Sequence, residues 1–254
     1  MVDSSAPNSL IELGRKHRNP EAKRVLAPVV GFLIAETSIL VGQITFGLLV
    51  HASMLLMLFW MIATSSESNR VFEAFVFIPL LRLLNLGTGV ISFDPILWLV
   101  GVYGLLLASL VLVMRGHEVG LADLGLERYG TRRQWLIGGL GVVLGIGFGI
   151  VQWTFQLEEL PIEPTLANAV VMALVLGLLV GFVEDLLFRG LLQRWLEEVL
   201  PATSAVLVAS LLFGFMHSIW LNPADVVFTF AVRCSSAGCT SAPGTSGRSG
   251  RFTP

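Results

Sequence analysis

Eighteen consecutive residues, Leu166 to Val183 (LANAVVMALVLGLLVGFV), contain no formal charge. A helix rising 1.5 Å per residue needs about 20 apolar residues to cross about 30 Å of hydrocarbon. This run reads as such a helix, and it is not alone. Val25 to Thr64 is about twice the required length and softens at Gly42 and Gln43, which predicts two spans. Pro95 to Met114 and Trp135 to Phe155 are further candidates, Pro201 opens another helix, and Val226 starts a last one. The composition agrees, with 54% hydrophobic and 13% charged residues, against about 25% charged in soluble domains. The sequence predicts an all-α, polytopic transmembrane bundle of about seven to eight spans, the last one truncated.

Charge placement suggests a topology. Arg15, Lys16, Arg18, Lys23 and Arg24 cluster before the first apolar run, and no clear signal-peptide cleavage site follows. The segment 1–24 therefore reads as cytoplasmic, leading into the N-terminal transmembrane helices of 25–114 at a cell membrane. The loop 115–134 carries Arg115, Arg128, Arg132 and Arg133 and is also expected inside. An even number of crossings must then precede it. Four works only if Val71 to Ser92 spans, although Glu73, Pro79, Arg82 and Asn85 interrupt that segment and leave an interfacial helix as the alternative. The acidic loop QLEELPIEPT suits the outer side. Basic residues are juxtamembrane, with no aromatic and basic groove, so no nucleic-acid partner is expected; the lipid bilayer is.

The apolar run ends in EDLLFRG, and a charge in hydrocarbon costs roughly 2.5–3.5 kcal/mol on insertion scales. Asp185 and Arg189 are four residues apart, so they share a helix face and can pair. Glu184 lies about 100° round the helix and stays available. The helix after Pro201 carries Phe213 and His217. Positions 184 and 217 are equidistant from a turn at Leu200–Pro201, each about 16 residues or roughly 24 Å away. An antiparallel hairpin would set the carboxylate and the imidazole at one depth. Such a pair can activate water, as a general-base pair or as metal ligands. It can equally be a buried ion pair fixing register, part of a proton path, or a packed histidine.

EDLLFRG resembles the first signature of the CPBP intramembrane proteases, also called Abi or type II CAAX prenyl endopeptidases: two glutamates, three residues, then arginine. FGFMH (213–217) resembles the second, phenylalanine-x-x-x-histidine. The likeness covers roughly residues 120–232 and suggests a protease-like core at 135–232. By this resemblance Glu184 is the water-activating base and His217 its partner, with Asp185, Phe188, Arg189 and Phe213 in support. Asp185 stands where a second glutamate is usual. The resemblance leaves open a divalent metal such as zinc on Glu184 and His217, or a metal-independent glutamate mechanism. It implies a membrane peptide or protein substrate, with a C-terminal lipid as one option.

The family pattern continues with a later histidine, often followed by asparagine, that would stabilise the oxyanion. No histidine follows His217. The run VVFTFAV stops at Val232, and the tail 233–254 turns to Ser, Gly, Thr and Pro. A frame displaced by two nucleotides permits GWLYLRTGN from SAGCTSAPGT and LHA from RFTP, which would restore a histidine; the alternative is a disordered tail. Cys234 and Cys239 lack a metal-site spacing. Two functions follow: an intramembrane endopeptidase, inactive as written if the third signature is indispensable, or a non-catalytic membrane protein. The latter would be a degenerate relative that binds partners, or a transporter component using Glu36, Gln43 and His51.

Overall fold

The computed structural model describes residues 20–64, 70–86, 94–120, 122–124, 132–153 and 165–240. Among these it contains eight helices and no strand. They are α1 (Pro20–Leu40), α2 (Ile44–Ala63), α3 (Arg70–Leu86), α4 (Pro95–Gly116), α5 (Arg132–Trp153), α6 (Leu166–Val199), α7 (Ala202–Trp220) and α8 (Pro223–Thr240). Four of them, α2, α4, α6 and α7, are long and apolar enough to cross a membrane. Leu56, Leu105 and Leu178 stand exposed on three of these four, as side chains facing lipid would. Most of the N-terminal segment 1–24, nearly all of the acidic outer loop, and 121 and 125–131 of the basic loop lie outside the described residues.

The break expected at Gly42 and Gln43 is a tight turn between α1 and α2. Gly42 has φ +82°, a left-handed conformation that favours glycine. Gly47 then lets the two helices close, because a Cβ there would fall 2.5 Å from Ile39 Cγ1 and 2.8 Å from the Ala35 carbonyl. α4 starts where Asp94 accepts hydrogen bonds from the Ile96 and Leu97 amides at 2.9 and 3.0 Å, with Pro95 in the first turn. Such a cap contributes about 1 kcal/mol.

The ambiguous segment forms α3, a 17-residue helix sunk in the protein. Phe72, Phe75, Ile78, Leu81 and Arg82 are all buried, in one core with Phe32, Leu187 and Trp195. Its polar residues are what made it look like a poor span, and they point inward to partners.

The last helix corrects an expectation. α8 does not stop after Val232 but runs 18 residues to Thr240. The small residues after Arg233 have modest helix propensity, yet no proline intervenes until Pro243, so the turn-by-turn hydrogen bonding can propagate. Packing on α7 anchors it: a Cβ on Gly214 would meet Phe230 Cβ at 2.7 Å and the Val226 carbonyl at 3.0 Å. The tail 241–254 lies outside the described residues.

Candidate active site

The turn between α6 and α7 falls at Leu200 and Pro201, the position from which equal depth for Glu184 and His217 was expected. Neither helix is a uniform α-helix. α6 contains wider π-helical stretches at Val175–Val180 and Leu186–Gln193, which flank the α-turn Gly181–Asp185 that carries both acids. α7 tightens into a 3₁₀ turn at Met216–Trp220, carrying His217, and ends at Leu221 with φ 52°. Departures of this kind recur at functional sites.

Glu184 is half-buried, and its Oε1 accepts a hydrogen bond from the Tyr103 hydroxyl on α4 at 2.8 Å. Its other oxygen makes no hydrogen bond among the described residues. Asn85 of α3 in turn hydrogen-bonds the Tyr103 hydroxyl. Asp185 pairs with Arg189 as the spacing predicted, Nη1 to Oδ2 at 3.2 Å. A second arginine joins it: Arg233 Nη1 lies 2.7 Å from Asp185 Oδ1. Both oxygens of Asp185 thus face arginine, so the shorter acid at this place still holds its cations.

The aromatic residues of the two motifs form a chain. Phe188 meets Phe213 edge to face at 5.2 Å between centroids, and Phe213 meets the His217 ring at 5.2 Å. The Arg233 guanidinium stacks over Phe213 at 4.7 Å, a favourable cation–π distance. Through Phe213 and Arg233, the helix of the acids and the helix of the histidine are locked side by side. No hydrogen bond joins Glu184 to His217 directly.

His217 Nδ1 lies 3.1 Å from the Phe213 carbonyl. A carbonyl only accepts, so Nδ1 carries a proton, and in the neutral imidazole Nε2 keeps its lone pair. That leaves the histidine an acceptor on its outer edge. Catalytic zinc usually has three protein ligands. Glu184 and His217 supply two, and among the described residues no group of three His, Cys, Asp or Glu gathers for a metal.

A groove of about 290 Å³ runs along α6 from Asp185 and Arg189 to Arg194 and Glu197, under Asp123 and Leu124. The segment after α4 closes over it. Arg194 donates to the Asp123 carbonyl at 2.6 Å, and His117 contacts Glu73 at 2.6 Å while stacking edgewise on Trp195. Asp123 accepts from the Gly120 amide at 2.8 Å, and that bond, followed by the Arg194 charge, holds its carboxyl below the usual aspartate range.

Residues 166–241 match the family model described as type II CAAX prenyl endopeptidase Rce1-like. This segment is similar to that family over about 30% of the chain. The match takes in both motifs and the whole of α8, beginning later and ending later than the resemblance read from the motifs. α1 to α5 lie outside it. Curated proteins and solved structures give no match to the chain.

Three residues at the site went unread in the sequence: Tyr103, Asn85 and Arg233. Tyr103 left a trace, being one of only two tyrosines and placed in mid-span, where a phenol needs a partner. Arg233 stood at the supposed break and was read as the start of the tail.

Proposed function

We propose that this chain is a multi-pass membrane endopeptidase of the CAAX prenyl protease type. On this reading the N-terminus faces the cytoplasm and α1, α3, α5 and α8 cross or enter the bilayer with the four apolar helices. The observation that carries the reading is the unfinished pair inside the Rce1-like segment. Glu184 is held by one oxygen with the other open, and His217 has its Nδ1 committed to backbone with Nε2 open.

A water between them would give one hydrogen to Glu184 and the other to His217 Nε2, leaving an oxygen lone pair for the scissile carbonyl carbon. As that C–O bond forms, Glu184 takes the water proton. When the tetrahedral intermediate collapses, the C–N bond breaks and Glu184 returns the proton to the leaving amine. The second water proton leaves with the new carboxyl group and passes to the amine, so the products are a carboxylate and an ammonium, with the glutamate regenerated. Tyr103 holds Glu184 throughout, and Arg189 with Arg233 holds Asp185 and thereby the helix. A substrate with an apolar or lipidated C-terminal end suits a site that opens to the bilayer.

The second reading is a relative that binds partners without cleaving them. It is favoured by the lack of any histidine after His217 and by Arg233, a cation on the helix that follows the second motif. One assay decides between them. The protein in nanodiscs is incubated with prenylated and unprenylated membrane peptides, beside Glu184→Gln and His217→Asn variants. Cleavage lost in both variants supports the protease. Absence of cleavage by the unaltered chain, or cleavage that survives both changes, rejects it.

A further inference from the structure

The most completely buried polar cluster joins three helices outside the Rce1-like segment to α7 inside it. Glu36 (α1), His51 (α2), Arg82 (α3) and Ser218 (α7) are each no more than 1% exposed. Arg82 grips Glu36 with both ends of its guanidinium, Nε to Oε1 at 2.8 Å and Nη2 to Oε2 at 2.7 Å. His51 Nε2 lies 3.0 Å from Glu36 Oε1, and the Ser218 hydroxyl donates to Glu36 Oε2. Arg82 Nη2 also donates to the Met216 carbonyl at 2.6 Å. Met216 and Ser218 flank His217 in the 3₁₀ turn. One contact to backbone and one to a side chain therefore hold the turn on either side of the proposed catalytic histidine.

One turn along the same helix, Asn85 reaches the Tyr103 hydroxyl that holds Glu184. Arg82 and Asn85 are three residues apart and so share a face of α3. One buried helix thus reaches both halves of the pair by separate chains of hydrogen bonds.

We infer that α3 is the positioning element of the site: Arg82, anchored by Glu36, sets the His217 turn, and Asn85, through Tyr103, sets the Glu184 carboxylate. The inference rests on the protease reading for its kinetic consequence, though not for its structural one. Arg82 and Asn85 touch no reacting atom; they fix where the reacting groups stand, and small displacements of such groups cost large factors in rate. A guanidinium is suited to the task because its planar fork can hold a carboxylate and a carbonyl at once.

The experiment uses the full chain in nanodiscs with two readouts, hydrogen–deuterium exchange over residues 213–221 and steady-state cleavage. The variants are Arg82→Met paired with Glu36→Gln, which removes both charges together, and the milder Ser218→Ala and Tyr103→Phe. The paired variant is expected to speed exchange at 216–221 about tenfold, leave 166–180 unchanged, and lower kcat about tenfold at constant KM. Ser218→Ala should give a smaller rise in exchange at the same amides. Tyr103→Phe should lower kcat with KM held and leave exchange at 216–221 as it was. Restoring the wild-type pair should restore both readouts. Exchange at 216–221 that stays at the wild-type rate in the paired variant and in Ser218→Ala overturns the inference. A chain that never cleaves removes the protease reading alone, and exchange still decides the positioning.

Discussion

Two clusters of charged side chains sit among these helices, built from similar residues and finished differently. Around Glu36 the carboxylate receives Arg82, His51 and Ser218, and every member is sealed from solvent and lipid. Around Glu184 the carboxylate receives one phenol, its neighbour Asp185 is 46% exposed, and His217 offers an unprotonated nitrogen. The closed cluster leaves its carboxylate no free acceptor and, although His51 Nδ1 finds no partner, burial keeps all of it out of a substrate's reach. The open one keeps one acceptor on Glu184 and another on His217. Burial and saturation distinguish a glutamate that holds helices together from one that can exchange a proton, although sequence alone makes the two look alike.

The sharpest way to break that contrast is to remove each glutamate. Glu184→Gln is expected to lower peptide cleavage by about a thousandfold, near the upper part of the range for a general base, while leaving the thermal midpoint where it was. A matching fall in thermal stability would make Glu184 structural. Glu36→Ala should do the reverse in kind: it strands Arg82 in a buried site and should cost about 3–5 kcal/mol of stability, read by denaturant unfolding in mixed micelles. A variant as stable as the wild type would remove the closed cluster from the account.

A smaller effect tests how α8 closes the open cluster. Gly214→Ala forces a methyl against Phe230 Cβ, 2.7 Å away, and the Val226 carbonyl, and should destabilise by about 1–3 kcal/mol as α8 shifts outward. Cross-linking between introduced cysteines at 185 and 233 should weaken in parallel; unchanged cross-linking would mean that the close approach at Gly214 is not needed to bring position 233 to position 185. The smallest effect concerns the segment over the groove. The Gly120 amide and Arg194 depress the Asp123 carboxyl in the folded protein. Their contribution is therefore present above the ordinary aspartate range and is lost as pH falls through the lowered value. Exchange at 117–124 should rise with acid in the wild type and be flat with pH in Asp123→Asn; identical profiles would refute the tie.

Much of this was legible because it is local. Charge-free runs of helical length, the Gly42–Gln43 break, the Leu200–Pro201 turn and the Asp185–Arg189 pair are all written within a few residues of chain. The two motifs were legible for the same reason. What stayed hidden is contact between helices far apart in sequence. Arg82 meets Glu36 across 46 residues and Met216 across 134, and no periodicity reports such a meeting. Hydropathy also misled at α3, where inward-facing polar groups lower the apparent hydrophobicity of the most deeply packed helix. At α8 the change to small residues looked like an ending, although small residues do not by themselves stop a helix. Whether 233–254 belong to the native frame is answered by sequencing the locus across codons 225–260: an unbroken frame removes the frameshift.

The claim on which the rest depends is that Glu184 and His217 act on one water as a unit, and a double-mutant cycle addresses it directly. Cleavage is measured for Glu184→Ala, for His217→Ala and for the chain carrying both. Groups that serve a single step lose nearly everything when either is removed, so the double variant is expected to fall no more than about threefold below the worse single one. Losses that multiply would mean that the two residues work apart, and the shared-water mechanism would be wrong.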